Sequence, residues 1–568
     1  MRTRRRLFYV VIQCSLAAVL ANLSFAASPP TQQIQAHLAA GEFGPAIRQA
    51  GRLAKARNEW LGRIAIAQAR TGAKTASHAT LRQIDDDREL AYATTSLREN
   101  RDESAGGGSM ADFDTLIELI TTTVSPDSWD DVGGPGSIAE FAGGVYVDAQ
   151  GVLRRLRDRA GHDAAWLDQR RLVAQPSDLS QTDPRQPSDL RMISLTRLAR
   201  ELRIRHAFGE PPTRTMQHLA GLRKIRYVFV YPDSGDLVMA GPAGDWRRDG
   251  EGIALGGDRR PVLLLDDLVV LLRNAYQSDG RFGCSITPKR ENLARTRQFL
   301  SRPKRPLKPH QTPRWIEQVR SHLGLQNVEV YGVDPHSHAA RVLVEADYHM
   351  KLIGMGLEPG VPGLTNYLDS IEPDKALPTM DVLRWWFTLR ENSITRNREG
   401  NAFALSPWNA RLQSENELIN VQGDRIQTGR SSALNQAFAD RFTTHYAALA
   451  NKYPLYAELD NLFQLALVTA LIQKHQLDAK VGWDPAWLLD AAEYQPQQGE
   501  VPREVPSVVN HRVINRKHIV AGVSGGISVN SYAVLGSTRI LSDARSLESD
   551  KDVSRPTANR HTARWWWD

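Results

Sequence analysis

Cysteine is almost absent from this chain of 568 residues: there are two, Cys14 and Cys284. Cys14 lies in a leader expected to be removed, and a single remaining thiol cannot close an intramolecular disulfide, so the fold must rest on burial. Long apolar runs are scarce as well. After residue 26 none reaches the ~18 residues of a membrane span. Val262 to Leu272 is interrupted by Asp266 and Asp267, and Leu462 to Ile472 is bounded by polar side chains. An excess of one charge is also missing. The formal net charge of +7 owes four units to Arg2, Arg4, Arg5 and Arg6, and removing them leaves +3. That is too dilute for a nucleic-acid partner, which needs basic residues concentrated on one face.

What the chain does have is a leader. Four arginines precede an apolar run from Leu7 to Ala21, and Ser24-Phe25-Ala26 places small residues where a signal peptidase reads. Residues 1–26 are therefore expected to be a signal peptide and the protein to be exported, to the periplasm or outside the cell. The Arg5-Arg6-Leu7-Phe8 run loosely matches a twin-arginine signal, and the ordinary secretory route is the default.

The whole chain is 41% hydrophobic and 24% charged, an ordinary globular composition. After residue 26 its periodicities predict an α+β multidomain protein: an N-terminal helical hairpin, a small α+β module, a mixed central α/β region, C-terminal helices and a β tail. Residues 27–105 read as a helical hairpin turning at Gly41 and Gly44. Small residues at Ala39, Ala46 and Ala50 suit close helix packing, and no second copy stands out at the ~34-residue tetratricopeptide period. Residues 106–160 read as the small module, with a helix at Phe113 to Ile120, a turn at Gly133 to Gly136 and a strand at Phe141 to Val147. Residues 161–215 read as linker around one helix, and 216–300 as an α/β unit with a hairpin from Tyr227 to Met239. A Pro/basic linker follows at 301–313, then an α/β and helical core region at 314–476. Residues 477–568 read as linker, β-hairpin and a disordered tail.

Several constellations invite chemistry. His336, His338, Glu345 and His349 carry the donors a divalent metal takes. On a helix Glu345 and His349 share a face while Asp347 pairs with Lys351 at i, i+4, and no H-E-x-x-H spacing is present. Gly522-Val-Ser524-Gly-Gly526 matches G-x-S-x-G, but a nucleophile elbow needs a helix after the serine, and Ile527-Ser-Val529 reads as strand. It is expected to be a glycine turn. Cys284 is expected to be buried and inert. Asp130 and Asp131 are adjacent, which does not supply the spatial separation of a glycosidase pair. Trp385 and Trp386 lie in an apolar run and read as strand core. Trp565, Trp566 and Trp567, on a polar terminus, are the candidate binding residues.

Tyr227 to Trp246, Phe282-Gly-Cys-Ser-Ile286, Asp334 to Leu357 and Pro454 to Phe463 together resemble a large planctomycete family of exported proteins catalogued as a domain of unknown function, number 1598. The resemblance spans most of residues 110 to 475 and implies export and a shared core, with no activity attached. Ser125 to Ile138 resembles a segment related to the short N-terminal domains of secretins, which implies binding or assembly. The expected function is thus a non-catalytic binding or assembly protein of the periplasm or cell envelope, with an envelope protein or polymer as partner and no cofactor. The competing expectation is a metal-assisted hydrolase using the 336–349 cluster and a divalent ion.

Overall fold

A computed structural model describes residues 29–107, 137–141, 144–148, 183–249, 253–301, 311–373, 382–514, 517–540, 545–556 and 564–568. The expected leader, the helix at Phe113 to Ile120, Asp130, Asp131, the turn at Gly133 to Gly136 and most of the 301–313 linker lie outside them. The chain is an α+β multidomain protein and divides into two units, Met1–Thr94 with Pro184–Asp568, and Thr95–Asp183.

The apolar steps between Ile34 and Leu97 wind into more than one hairpin: α1 (Pro30–Ala39), α2 (Phe43–Ala50), α3 (Arg57–Arg70), α4 (Lys74–Leu81) and α5 (Asp87–Gly107). The α1–α2 and α3–α4 turns each carry a glycine at positive φ, Gly41 and Gly72. Those glycines stand 31 residues apart, and the same offset relates the buried pairs Ile34 and Ala65, Ala46 and Ser77, and Ala50 and Leu81. A second copy is therefore present at a shorter period than the one sought in the sequence.

In the second unit Ser137–Phe141 (β1) and Gly144–Asp148 (β2) form an antiparallel hairpin, from Ser137 opposite Asp148 to Phe141 opposite Gly144. One strand was expected there. Alternation with a period of two cannot tell a single strand from two halves of a hairpin.

The larger unit continues through β3 (Ser188–Ser194), α6 (Leu195–Ala207), the short α7 (Arg214–Gln217), β4 (Tyr227–Tyr231) and β5 (Asp236–Ala243). A small hairpin of β6 (Trp246–Arg248) and β7 (Ala254–Gly256) leads to α8 (Leu265–Gln277), β8 (Arg281–Pro288), α9 (Arg290–Ser301) and α10 (Thr312–Leu323). Then come β9 (Leu325–Tyr331), α11 (His338–Gly354), β10 (Val382–Leu389), β11 (Ile394–Arg396), β12 (Ala402–Leu405), β13 (Ala410–Ile419) and β14 (Arg425–Gln427). Five helices follow, α12 (Ala433–Thr444), α13 (Tyr446–Lys452), α14 (Pro454–Lys474), α15 (Leu477–Val481) and α16 (Ala486–Leu489). The chain closes with β15 (Glu504–Pro506), β16 (Val509–Ile514), β17 (Lys517–Asn530), α17 (Ser531–Leu535), β18 (Arg539–Ile540), α18 (Arg545–Val553) and β19 (Trp566–Trp567).

Two sheets organise this unit. The main one has eight strands in the order β14-β13-β10-β17-β8-β9-β15, with β16 also paired to β17. Only β10 and β17 run parallel in it. The second has seven strands in the order β18-β11-β12-β4-β5-β3-β19. Within residues 161–215, read as linker around one helix near Leu195 to Leu202, that helix is α6, and residues 188–194 add the strand β3 to this sheet. Ile193, Leu195, Leu198 and Leu202 are buried there.

One continuous core joins the two sheets, and α14 is its centre. A window of α14 is apolar enough to cross a membrane, yet 94% of it is buried inside the fold, as befits a helix that is hydrophobic all round. Helices α11, α12 and α14 cover one face of the main sheet, where Leu383, Trp385 and Phe387 of β10 meet Phe438, Phe442 and Tyr456. On the opposite face α9 and α10 cover one end, through Leu293, Val319 and Leu323 packed with Val509, Val520 and Ile419. The rest of that face forms a cleft.

The residues Gly522 to Gly526 are not a turn. They run through the middle of β17, beside β10 on one side and beside β16 and then β8 on the other, and the terminal hairpin is made by β16 and β17. A Cβ on Gly525 would fall 1.7 Å from the Trp385 carbonyl oxygen, and one on Gly526 would fall 2.0 Å from that of Cys284. Close approach of the neighbouring strands, not chain reversal, requires glycine here.

Candidate functional site

The histidine-rich segment forms the start of α11. Ser337 caps the helix by accepting from the Ala340 N–H, and Asp334 accepts from the His336 N–H. These bonds satisfy backbone donors that a helix start leaves open. His336 itself stays exposed, 3.4 Å from Asp334. His338 instead turns inward between two other helices. Its Nδ1 lies 2.9 Å from Asp267 of α8 and its Nε2 3.4 Å from Glu458 of α14.

Burial opposes charge on this imidazole, but Asp267 and Glu458 outweigh it and raise the His338 pKa to about 10. Both ring nitrogens thus face carboxylates of neighbouring helices. Glu345 faces Arg341 at 3.5 Å, its carboxyl pushed up by burial against the lowering effect of Arg341. His349 meets the Tyr456 hydroxyl at 2.9 Å, and burial holds its pKa below the usual imidazole value. Eleven residues of helix separate His338 from His349, about 16 Å along the axis at ~1.5 Å per residue. The structure thus sets His336, His338, Glu345 and His349 at four separate positions. Among the described residues no group of three or more His, Cys, Asp or Glu side chains is placed to hold a metal ion.

Trp566 and Trp567 form β19 and pair with β3, Trp566 opposite Ile193 and Trp567 opposite Met192, and Trp565 precedes it. Trp565 and Trp566 are buried. The Arg191 guanidinium stacks on Trp566 and that of Arg197 lies over Trp567. Their faces are engaged within the chain, so the expected exposed terminus is an edge strand. Cys284 is buried and its Sγ–H points to the Leu343 carbonyl; burial, then the nearby Asp347 charge, pushes the thiol pKa up.

The cleft on the open face of the main sheet brings together residues that single motifs did not reveal. Its volume is about 350 Å³, and its lining comes from β8, β9, β10, β13, β14 and β17. Alternation along β10 sends Trp385 into the core and Arg384 with Trp386 to the cleft. The two adjacent tryptophans, both expected in the strand core, thus part company. Arg384 donates to Glu415 at 2.9 Å and lies 4.6 Å from the Trp386 ring centre. Arg425 grips the fully buried Glu417 with two bonds of 2.8 and 2.7 Å.

Ser524 donates to Glu417 at 3.1 Å and accepts from Arg425 at 3.2 Å. Its hydroxyl is therefore fixed by an ion pair, and no histidine lines the cleft among the described residues. Ser285, Thr287, Gln427 and Ser528 complete the wall, and their side-chain polar groups have no partner among the described residues. A sequence signal for this site did exist. Arg384 and Thr388 alternate with Leu383, Trp385 and Phe387 along the strand, which marks a second, polar face.

Fold and site together define an α+β protein whose central mixed sheet is helix-covered on one face and carries a polar cleft on the other. Residues 284–367 match the model of a family described as "Protein of unknown function (DUF1598)". That stretch runs from the middle of β8 past the end of α11 and contributes Cys284, Ser285, Thr287 and Tyr331 to the cleft. No curated protein and no solved structure matches the chain.

Proposed function

We propose that this is an exported, non-catalytic binding or assembly protein of the periplasm or cell envelope, and that the cleft on the main sheet is where it holds its partner. One observation carries the reading. Polar side chains from six strands converge on a cleft of about 350 Å³, and a framework of buried ion pairs fixes its arginines. Pre-organised polar groups of this kind bind without a large ordering cost. The leader at residues 1–26 supports export, and the wider resemblance over residues 110 to 475, with its secretin-like segment, belongs to the same proposal.

Two measurements test it. Cell fractionation with sequencing of the mature N-terminus is expected to find the protein outside the cytoplasm, beginning near Ala27; a cytoplasmic protein retaining Met1 overturns export. Co-sedimentation with purified insoluble envelope polymer is expected for the native chain and lost in Ser528→Trp, which fills the cleft from its exposed rim. Equal pelleting of both proteins overturns the assignment of the cleft.

A further inference from the structure

The charges in the cleft are already spoken for. Arg425 makes a two-bond pair with Glu417, and Arg384 is paired with Glu415 and lies 4.0 Å from Glu417. Glu417 is fully buried and Glu415 is 6% exposed. An anionic ligand entering here meets no uncompensated cation, and a cationic one meets carboxylates whose lone pairs are in use. Charge therefore selects against both.

An apolar ligand fits no better. It would strand the half-buried hydroxyls of Ser285 and Thr287, each buried group left without a partner costing ~1–3 kcal/mol, and would offer nothing to Ser528 and Gln427 on the exposed rim. What remains is a neutral ligand rich in hydroxyls, with apolar patches for the half-buried Trp386 ring, which Arg384 backs at 4.6 Å. We infer that this cleft takes a neutral saccharide. Sugar rings offer C–H faces to an aromatic ring and hydroxyls to planar polar side chains, and Trp386, Arg384, Arg425 and Gln427 supply both. The paired arginines keep N–H donors beyond those their carboxylates use, since a guanidinium has five. A volume of about 350 Å³ sits at the small end of the ~300–1,000 Å³ seen for ligand pockets. It suits one or two sugar rings.

The inference rests on the cleft being the binding site, and its test separates the two claims. Titration calorimetry on the full-length mature chain uses glucose, maltose, cellobiose, mannobiose and di-N-acetylchitobiose, with glucuronic acid and inorganic phosphate as anionic probes. At least one neutral sugar is expected to bind with a Kd of ~1 mM or tighter. Ser528→Trp and Trp386→Ala are each expected to weaken it by about tenfold or more. Thermal melts confirm that the variants fold. Should Trp386→Ala fail to fold, Ser285→Ala with Thr287→Val removes two hydroxyls at the same wall and is expected to weaken binding in its place.

Tighter binding of glucuronic acid or phosphate than of any neutral sugar overturns the inference, as does neutral-sugar binding that Ser528→Trp leaves unchanged. If no neutral sugar binds while Ser528→Trp still abolishes co-sedimentation with envelope polymer, the saccharide assignment falls and the cleft stands as a binding site. If the native chain does not pellet and binds no sugar, both fall.

Discussion

His338 ties three helices together, for it sits on α11 between Asp267 of α8 and Glu458 of α14, with Asp266 and Glu345 nearby. Unfolded, an imidazole titrates near ~6.5, whereas in the fold this one is raised to about 10. The protonated form therefore favours folding. Its contribution is complete below pH ~6.5, shrinks between the two values and is gone once pH has risen through about 10. The melting-temperature gap between native protein and His338→Gln is expected to be widest near pH 6 and to close towards pH 10; a gap independent of pH would count against the clamp. About two and a half turns further along the same helix begins a second buried pair. Lys351 meets Asp347 at 2.6 Å with both side chains fully buried, beneath Gly525 of the cleft floor. Lys351→Ala leaves a lone carboxylate in the core and is expected to cost about 3–5 kcal/mol. Pairing Asp347→Leu with Lys351→Met should recover most of that in urea denaturation, and a double variant as weak as the single one would refute the argument.

Glycine spacing along β17 gives a sharp internal comparison at the scale of the element. Gly522 has nothing within 4 Å of a built Cβ, while Gly525 and Gly526 press on the backbones of β10 and β8. Gly522→Ala is expected to be neutral or stabilising by up to ~1 kcal/mol. Gly525→Ala forces two central strands apart and should leave the protein largely insoluble. Similar solubility and melting temperature for the two variants would mean that the close approach is not needed. Elements whose pattern is local were legible: the Tyr227 to Met239 hairpin, β10, and the helix beginning beside His338 follow from alternation or helical spacing. Strand partners were not legible, because β17 joins β10 and β8 across more than a hundred residues, and nothing in a short window records which strand will lie alongside. The cleft was hidden for the same reason. Ser285, Trp386 and Arg425 become neighbours only through that pairing. The 336–349 segment shows the converse, since residues close in sequence take different neighbours: His336 lies before α11, and His338, Glu345 and His349 stand at different heights along it.

At the scale of the whole molecule, a contact between residues 377 positions apart holds the fold, and neither composition nor motif foretold it. Arg191 of β3 is fully buried, and its guanidinium is held by Asp568 at 2.8 and 3.1 Å, by the Ala220 carbonyl and by the Trp566 face. The Ser194 N–H donates to the Trp565 carbonyl, and Trp567 donates through its indole N–H to the Ser554 carbonyl. The terminal segment thus covers an edge of the second sheet and supplies the counter-ion of a core arginine. An exposed edge strand and an unpaired buried cation are each costly. Removing residues 565–568 is therefore expected to destabilise the fold by about 3–5 kcal/mol, mostly through the orphaned Arg191. Arg191→Met in the shortened chain should regain part of the loss by replacing the stranded charge with an apolar side chain of similar length. Were the three tryptophans a free contact tag, the truncation would leave the urea midpoint of the purified protein unchanged, and that result would return them to the surface role their sequence first suggested.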